Sequence, residues 1–553
     1  MRLPERWWYG LYLIPLVFLT LFFLYPLASI LDVSLRPDGD FEPSGFVRLF
    51  TSTYYAETLI FTVYQAVLST ALTIALVMPS AYIMTRYRFR GKSLLMSLST
   101  LPFVLPTVVV AVAFMSLIGQ RGLVNDVLKT LFSLDYAPIQ LERTLAIILI
   151  VHVFYNYAVA LRLIVSYWSS IGIETEEVAR TLGAKEWELW RDIRLPLLRP
   201  ALLSASALVF IFTFTSFGVI LILGGIRFST LEVQIYYQAV NIFNLPLAGA
   251  LSLVQIGVMF LMMVVYTRMQ NQIQTSLKGS KLVARFPRNN REKWSIRFSV
   301  LFIIVLLFSP LLALILRSVS IGGEFNLTNY LNLTESSRGS LLFITPVESI
   351  WNSLRFAGIA TVFALILGTI SSYLINYRGR FAKVLDPVFM LPLATSAVTL
   401  GFGFIIALDE PPLNLRSSWI IIPISHTLVA LPFVIRSVLP AIRAIPKSLH
   451  EAGRVLGAKP YELWRTIDLP LISRGLVVGA TFAFTVSMGE FGASLFVAQR
   501  DSITMPVVIY RLIGDPILSS YGQALAMSVL LMLVCAIGFV AIERIRVAGV
   551  GEF

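Results

Sequence analysis

The chain has 553 residues, of which 57% are hydrophobic and only 14% are charged. Soluble domains carry about 25% charged residues, so this composition excludes a soluble protein and indicates one that crosses a membrane many times. The net charge of +13 does not indicate nucleic-acid binding, because the basic residues lie in short loops between apolar runs. One cysteine, Cys535, and three scattered histidines predict neither a disulfide framework nor a metal site.

Apolar segments of the roughly 20 residues that a helix needs to cross a bilayer recur along the chain. We predict twelve spans, near 9–31, 57–84, 94–118, 144–168, 201–225, 247–268, 297–318, 351–376, 384–407, 417–441, 475–497 and 522–543. The predicted fold class is therefore an all-α polytopic membrane protein with about twelve transmembrane helices in the lipid bilayer. The first apolar run is long enough to predict a retained anchor rather than a cleaved signal peptide.

Positively charged loop residues predict which face of the protein is cytoplasmic. Basic residues cluster after the second span at 86–92, after the eighth at 378–383, between the sixth and seventh at 268–297, and after the last at 544–546. With twelve spans, all of these loops fall on one face. We therefore predict that this face and both termini are cytoplasmic.

One polar, charged segment occurs twice between the apolar runs, beginning at Glu177 and again at Glu451, an offset of 274 residues without a gap. The same offset relates His152 to His426, Arg162 to Arg436, Phe217 to Phe491, Thr230 to Thr504 and Tyr236 to Tyr510. Further upstream the offset is 290, as between Pro102 and Pro392, because an external loop is longer in the first half. The chain is thus predicted to contain two parallel six-helix repeats.

The repeats predict the domain organisation. Residues 1–268 form the first half, with a repeated core at about 57–268, and residues 297–553 form the second half, with a core at about 350–543. The basic segment 269–296 contains Gly, Pro and two Asn residues. It is predicted to be a linker without fixed structure.

Each copy of the duplicated segment is predicted to be two short helices separated by a turn. The first helix ends at Gly183 or Gly457, since glycine accepts the left-handed conformation that closes a helix. The second helix is predicted to stop before the Leu-Pro pairs at 195–196 and 469–470, because a residue before proline is disfavoured in helical geometry. Each copy therefore predicts a compact helix-turn-helix on the cytoplasmic surface.

The pattern E-A-A-x3-G-x9-I-x-L-P resembles the cytoplasmic loop of permease subunits of type I binding-protein-dependent ABC importers. Each copy departs by one residue, since Val178 replaces the first Ala and Gly453 the second. The resemblance implies that each loop is a coupling helix that docks on an ATPase subunit. The residues it implies for coupling are Glu177, Ala179, Gly183, Trp190, Ile193, Leu195 and Pro196 in the first copy, and Glu451, Ala452, Gly457, Trp464, Ile467, Leu469 and Pro470 in the second.

The resemblance also implies the partners and the location. These are two ABC ATPase subunits at the cytoplasmic face, an external solute-binding protein, and the cytoplasmic membrane of a prokaryote, with no nucleic acid involved. The chain has no G-x-x-x-x-G-K-[ST] run, so ATP is expected to be bound by partner subunits. The chain is accordingly predicted to be a transport subunit rather than an enzyme, with no cofactor of its own.

Two features of the loops admit a structural interpretation as well. Ser448 and Glu451 have the S-x-x-E spacing of a capping box, so Glu451 alternatively serves only to cap its helix. The aromatic residues Trp187, Trp190, Tyr461 and Trp464 are either anchors for a partner or rings that pack beneath the loop onto the ends of the spans. Both alternatives stay open at this point.

Span eleven carries a carboxylate where span five has a hydroxyl, because Glu490 aligns with Ser216. A charged residue inside a membrane is costly, and it usually lines a pathway or has a partner. We predict that Glu490, Ser216, Phe217 and Phe491 line the translocation pathway and that Glu490 favours a cation. The alternative is that Glu490 is a hydrogen-bonded structural peg. The paired histidines at 152 and 426 are interpreted as satisfied packing groups.

Two fused halves and one motif in each half look like thiamine-importer permeases, and iron(III)-importer permeases share the fused plan and a similar acid in the second half. The motifs are the run from Ser216-Phe217 to Gly224-Gly225 followed by Thr230-Leu-Glu-Val-Gln-Ile235-Tyr236, and Ser487-Met-Gly489-Glu490-Phe491-Gly492. The expected substrate is therefore a thiamine-like cation or iron(III). An ion-driven secondary transporter with parallel repeats is the alternative, and it predicts several intramembrane charges and no ATPase-docking loops. A membrane scaffold or sensor is a third possibility, but it leaves the duplicated loops unexplained.

Overall fold

A computed structural model of the protein describes residues 7–37, 39–172, 174–276, 284–321, 324–335, 342, 344–376, 382–409, 411, 413–515 and 517–547. Helices make up most of these residues. The two short strands β1 (Ser320–Ile321) and β2 (Glu324–Phe325) pair antiparallel in the long loop after the seventh predicted span.

The helices follow the order expected for two repeats. In the first half they are α1 Trp7–Leu19, α2 Tyr25–Leu35, α3 Ser44–Thr51, α4 Thr53–Arg86, α5 Lys92–Leu98, α6 Leu101–Val104, α7 Thr107–Ile118, α8 Leu123–Phe132, α9 Leu145–Ser170, α10 Glu174–Thr181, α11 Glu186–Glu188, α12 Leu195–Phe214, α13 Gly218–Leu223, α14 Leu231–Tyr236 and α15 Leu245–Ser276. In the second half they are α16 Asn290–Ser318, α17 Thr328–Leu331, α18 Pro346–Asn376, α19 Ala382–Ala394, α20 Ala397–Ala407, α21 Ile421–Arg443, α22 Lys447–Val455, α23 Pro460–Leu463, α24 Leu469–Gly489, α25 Gly492–Val497, α26 Met505–Gly514 and α27 Leu518–Val547. Wider π-helical turns occupy Thr20–Leu24, Leu189–Arg194, Tyr237–Asn241 and Trp464–Asp468, and 3-10 turns occupy Ile226–Phe228 and Asn332–Thr334.

Within the described ranges, eleven helical segments are long and apolar enough to cross a membrane, and the pair α19 and α20, bent by 95°, makes up to twelve. The predicted all-α polytopic fold is confirmed. Four predicted spans, at 94–118, 201–225, 384–407 and 475–497, are broken rather than continuous. Length and hydropathy could not reveal these breaks, because apolar residues continue across them.

Proline and an N-cap serine account for the breaks in the third and ninth predicted spans. Leu105 precedes Pro106 and is extended, with ψ of 141°, so α6 ends and α7 begins after the proline. At the equivalent place in the second half, Ser396 is the N-cap of α20 and accepts a hydrogen bond from the Val398 N–H at 3.0 Å. The helices α7 and α20 that start here are buried along most of their length.

The two halves are interleaved rather than side by side. Helices α4, α9 and α12 pack together in the first half as α18, α21 and α24 do in the second. However, α2 packs against α20 of the second half, and α16 packs against α7 of the first half. The Ser299 hydroxyl of α16, for example, donates to that of Ser80 on α4 at 3.1 Å. The first span of each half therefore packs against a helix of the other half.

The prediction of an unstructured linker at 269–296 is wrong for much of its length. Helix α15 continues to Ser276 and α16 starts at Asn290, where the Asn289 side chain accepts from the Glu292 N–H at 2.9 Å. Arg285 lies parallel to Tyr87, with its N–H donating to the Arg86 carbonyl at 3.0 Å. The extended segment thus satisfies backbone groups at the end of α4. Residues 277–283 of the linker, and the basic residues at 378 and 380, lie outside the described ranges.

Candidate functional site

Both duplicated segments form exposed helical loops, which we name the first loop (residues 174–196) and the second loop (residues 447–470). Gly183 has φ of +88° and Gly457 has φ of +82°, the left-handed geometry that glycine accepts. The Ala184 N–H donates to the Ala179 carbonyl at 3.0 Å, which satisfies a carbonyl of the last helical turn. The predicted helix ends at both glycines are confirmed.

The second helix of each loop begins with a matching cap. The Lys185 N–H donates to the Glu188 carboxylate at 2.7 Å, and the Lys459 N–H donates to Glu462 at 2.8 Å. The predicted capping box of Ser448 with residue 451 is wrong, because α22 starts one residue earlier, at Lys447, directly after Pro446. The glutamate that the two loops share therefore has no capping role in the second loop.

The prediction that the second helix stops before the Leu-Pro pair is wrong in both loops. Leu195 and Leu469 are helical, with φ and ψ of −61° and −46° and of −57° and −45°. Each proline follows a π-helical turn and lies in the first turn of the next α-helix, where its missing N–H costs little. The second helix of each loop consequently continues into the membrane helix that follows it, α12 or α24.

A buried ion network anchors the first loop to the bundle. Arg194, whose side chain is 1% exposed, lies 3.0 Å from the Glu176 carboxylate and 2.9 Å from that of Glu186. Arg86, at the end of α4, also pairs with Glu176. The Arg194 guanidinium lies 5.1 Å from the ring centroid of Trp190. The loop is thus held by charges that come from both of its ends and from α4.

The second loop uses the opposite arrangement of charge at the equivalent positions. His450 and Asp468 correspond to Glu176 and Arg194, so the acid and the base exchange places. The His450 Nε2 lies 2.6 Å from Asp468 Oδ1, and the Tyr373 hydroxyl of α18 donates to the same carboxylate at 3.2 Å. In each loop an acidic and a basic side chain pair at these two positions, but the residue types at the two positions are exchanged between the loops.

We expect Arg194→Ala to destabilise the permease much more than Arg191→Ala, an exposed neighbour paired with Asp192. The substitution removes the hydrogen bonds of Arg194 to Glu176 and Glu186, each worth about 1.5 to 3 kcal/mol for a charged group, although Arg86 still pairs with Glu176 and Arg180 with Glu186. An exposed pair contributes at most about 1 kcal/mol. Thermal unfolding of the two purified variants measures the difference, and equal melting temperatures would contradict the anchoring role of Arg194.

The loops expose apolar side chains at equivalent positions. Leu182 is 83% exposed and Leu456 is 86% exposed, and the rings of Trp187 and Tyr461 are also exposed. The predicted coupling residues that lie on these exposed surfaces are Glu177, Gly183, Leu195 and Pro196 in the first loop and Glu451, Ala452, Gly457 and Pro470 in the second. The remaining ones, Ala179, Trp190, Ile193, Trp464, Ile467 and Leu469, are half-buried. An exposed apolar surface of this kind is typical of a docking site.

Trp190 packs beneath the first loop onto the ends of the membrane helices, which is the second of the two predicted alternatives for the aromatic residues. Its ring lies 5.5 Å from that of Tyr82 and 5.8 Å from that of Trp168, both at the ends of membrane helices. Trp464 instead stacks on Tyr461 within its own loop, with ring centroids 6.3 Å apart. The aromatic residue that the first loop offers to a partner is therefore Trp187.

Two equivalent phenylalanines meet where the halves join. Phe217 and Phe491 are buried and stacked, with ring centroids 5.6 Å apart. Tyr236 lies 5.7 Å from Phe217, and the equivalent Tyr510 lies 5.5 Å from Phe491. Because each residue repeats at the offset of 274, the stack lies on the pseudo-two-fold axis. These four rings, the central aromatic cluster, close the middle of the protein.

The Glu490 carboxylate is buried and fully hydrogen-bonded beside this cluster. It accepts from the Ala493 N–H at 2.9 Å and from the Ser494 N–H and hydroxyl at 2.9 and 2.8 Å. His426 Nε2 lies 3.5 Å away. These contacts cap the beginning of α25 and match the structural-peg alternative. That Glu490 lines the translocation pathway and favours a cation stays a prediction.

The paired histidines are satisfied by hydroxyl groups, as the sequence predicted. His152 lies 2.9 Å from the Ser69 hydroxyl and 2.8 Å from that of Ser216. His426 lies 2.7 Å from the hydroxyl of Ser487 and 2.8 Å from that of Ser494. Ser216 is thus engaged by a histidine on α9, and both histidines brace the breaks after α12 and α24.

Another buried carboxylate, that of Glu232, was not predicted from the sequence. Glu232 lies on α14, whose six residues are all buried, and it receives hydrogen bonds from Gln255 and from Ser396. Short apolar helices such as α14 and α26 lie between the predicted spans and have too few residues to be recognised by length. The only available signal was a glutamate next to an apolar run.

One cavity opens beside the central aromatic cluster. It has a volume of about 400 Å³ and is lined by apolar residues, including Phe404 and Phe496, and by polar ones, including Asp409, Arg416 and Gln499. The Phe496 ring lies 5.5 Å from that of Tyr236. The cavity therefore ends at the closed centre of the protein.

The fold and these sites define a class of protein, a polytopic transport permease made of two fused and pseudo-symmetric halves. The family described as binding-protein-dependent transport system inner membrane component matches residues 71–279 and 360–546. These matches cover more than half of the chain, which belongs to this family and carries its domain twice.

Two relatives align with this chain over most of its length. The thiamine transport system permease protein ThiP of Escherichia coli strain K12 is 26% identical over 512 residues, which cover 90% of this chain and 91% of that protein. The ferric transport system permease protein FbpB of Actinobacillus pleuropneumoniae is 26% identical over 544 residues, which cover 94% of this chain and 76% of that protein. A crystal structure of a bacterial ABC transporter involved in the import of the acidic polysaccharide alginate aligns with 49% of this chain and 96% of its own, with 17% identity and a TM-score of 0.40. The predicted resemblance to fused importer permeases is confirmed.

Proposed function

We propose that this chain is the membrane-spanning subunit of an ATP-driven importer for a thiamine-like cation, which an external binding protein delivers. One observation carries the proposal. The second helix of each exposed loop continues without a break into α12 or α24, and these helices end three and two residues before Phe217 and Phe491. A movement of the loops would therefore be transmitted along rigid helices to the stack that closes the centre.

ATP is bound, in this proposal, by two ATPase subunits that dock on the exposed apolar surfaces of the two loops. A hinge or shear movement of packed helices is a common way to carry such a change across a protein. Parting of the central aromatic cluster would join the cavity beside Phe496 to the opposite side of the membrane. The permease itself supplies the path and performs no chemistry.

Thiamine is the first choice of substrate, and iron(III) is the second. The chain spans 91% of the thiamine permease of Escherichia coli but 76% of the ferric permease. The test is uptake into vesicles that contain the permease, its ATPase and its loaded binding protein. We expect ATP-dependent accumulation of thiamine and none of iron(III). If only iron(III) accumulates, the substrate is iron(III) rather than thiamine. Uptake that is driven by an ion gradient without ATP would favour a secondary transporter.

We propose that both termini and the segment 284–290 face the cytoplasm of a prokaryote. The basic residues of that segment, and the contact of Arg285 with the end of α4 beside the first loop, support this orientation. Cysteines placed at the exposed residues Arg291 and Glu335, on a Cys535→Ala background, test it. An impermeant thiol reagent added outside should label position 335 only.

A further inference from the structure

Glu232 is a carboxylate enclosed where the two halves meet. It is 0% exposed, and its Oε2 accepts from the Ser396 hydroxyl of α20 in the second half at 2.7 Å. Its Oε1 accepts from the Gln255 side chain of α15 in the first half. The donors that reach it in the described part of the chain are neutral. An ionised carboxylate in such a place is costly unless a positive charge reaches it.

The surroundings of Glu232 have hydrogen-bond acceptors to spare. Gln255 is 1% exposed, and its Oε1 has no partner among the described residues, although its other amide atom binds Glu232. Thr399, one turn along α20 from Ser396, likewise has a buried hydroxyl without a partner there. Two unpartnered oxygens thus belong to a residue that binds the carboxylate and to one a helical turn from Ser396, and such oxygens suit a group that brings positive charge and hydrogen-bond donors.

Comparison of the two halves shows that the fold does not require this polar group. At the equivalent offsets, Glu232 corresponds to Pro506, Gln255 to Val529 and Ser396 to Pro106. Those residues are buried, and none of their side chains donates or accepts a hydrogen bond. The same place in the other half is therefore filled by apolar packing alone. Glu490 is likewise found in one half only, but it accepts from backbone N–H groups and caps α25, whereas the hydrogen bonds of Glu232 come from side chains, so no helix end depends on Glu232.

We propose that Glu232, together with Gln255 and Ser396, recognises the positive charge of the transported solute when the two halves part. The inference rests on the proposed importer function and deepens it, by naming Glu232 as a specificity-determining residue for the proposed cation. The hydrogen bond from Ser396 joins the halves in the closed conformation. Separation of α14 from α20 breaks this bond and uncovers the carboxylate for the cation.

Two substitutions at this position separate charge from packing. Glu232→Gln keeps the size of the side chain and an acceptor for Ser396 or Gln255, but it removes the charge. Glu232→Asp keeps the charge but shortens the side chain away from both donors. We expect thiamine uptake, per assembled complex, to fall about tenfold or more in the Gln variant, because attraction between charges is strong in a partly desolvated site. The Asp variant should retain more uptake than the Gln variant.

The matched control is Glu57→Gln, which removes a charge from an exposed glutamate at the beginning of α4. We expect its uptake to equal that of the unchanged protein. A merely structural role of Glu232 gives the reverse order, with Gln tolerated and Asp impaired, and that result would overturn the proposal. If neither Glu232 variant assembles, Gln255→Leu is measured instead. This substitution gives position 255 the apolar character of Val529 in the other half. Normal thiamine uptake by that variant would also overturn the proposal.

Uptake into the vesicles that contain the permease, its ATPase and its loaded binding protein tells failure of the cation site apart from failure of the proposed importer function. If the unchanged protein imports a neutral or anionic solute with ATP, the importer stands and the cation site is wrong. If no delivered solute is imported with ATP, the proposed function fails, and chemical labelling then decides the site. A hydrophobic carbodiimide should modify Glu232 in the assembled complex more slowly when thiamine or iron(III) is present. Unchanged labelling with both would rule out cation recognition, and protection by one identifies which cation binds.

Discussion

Replacement of Gly183 or Gly457 by proline is expected to abolish the stimulation of ATP hydrolysis by the loaded binding protein. Both glycines have a φ above +80°, whereas the proline ring fixes φ near −65°. Proline also removes the N–H that Gly183 donates to the Arg180 carbonyl at 3.0 Å. The first helix of the loop would then end differently and present Leu182 or Leu456 at another angle.

The control for this prediction is asparagine at the same positions. An added Cβ would meet nothing within 4 Å at either glycine, so the cost of asparagine is confined to the backbone, at about 1 kcal/mol. We expect the Asn variants to keep most of the stimulation and the Pro variants to lose it, while both remain folded. The measurement is ATP hydrolysis by the purified complex with and without loaded binding protein. Stimulation that survives in both Pro variants would contradict the coupling role of the loops.

Glu490→Leu is expected to prevent most of the permease from assembling with its partners. The leucine leaves the Ala493 N–H and the Ser494 N–H without their acceptor in an apolar region, and the Ser494 hydroxyl keeps only its contact with His426. Each unsatisfied buried donor costs about 1 to 3 kcal/mol, so the total is a large part of the stability of a typical domain. His426 also loses its neighbouring carboxylate.

Glu490→Gln is expected to be milder in assembly, because one carbonyl oxygen remains to accept from the beginning of α25. Ser216→Ala is the matched control in the first half, since it removes only the contact with His152. The amount of complex recovered after purification should be highest for Ser216→Ala, lower for Glu490→Gln and lowest for Glu490→Leu. Equal recovery of all three variants would contradict the peg. Thiamine uptake per recovered complex tests the separate prediction that the Glu490 charge assists a cation, and normal uptake by the Gln variant would exclude it.

Properties of contiguous or repeated residues could be predicted from the sequence. Runs of apolar residues indicated the membrane helices, because spanning a bilayer depends on length and hydropathy alone. The offset of 274 residues indicated the duplication, and the pairs Phe217 with Phe491 and Tyr236 with Tyr510 are symmetric in space as well. The left-handed glycines were predictable because their conformation depends on the residue itself.

The local predictions that failed concern helix ends. Pro196 and Pro470 were expected to stop a helix, but a π-helical turn before each proline lets the helix continue. Pro446 displaced the expected cap at Ser448 by supplying an earlier start. In each case the backbone adopts another local structure, a π-helical turn before the Leu-Pro pair or an earlier helix start after Pro446.

Only the tertiary structure decided which distant side chains meet. Trp190 packs inward because the rings of Tyr82 and Trp168 lie beside it at the ends of membrane helices. The equivalent residues Arg194 and Asp468 differ in charge, and only their contacts with Glu176 and His450 show that each completes an acid–base pair. Glu490 caps α25 because span eleven breaks there, and Glu232 meets Ser396 although 164 residues separate them. Burial and hydrogen bonding of a carboxylate depend on what surrounds it in space, and this information is absent from the neighbouring sequence.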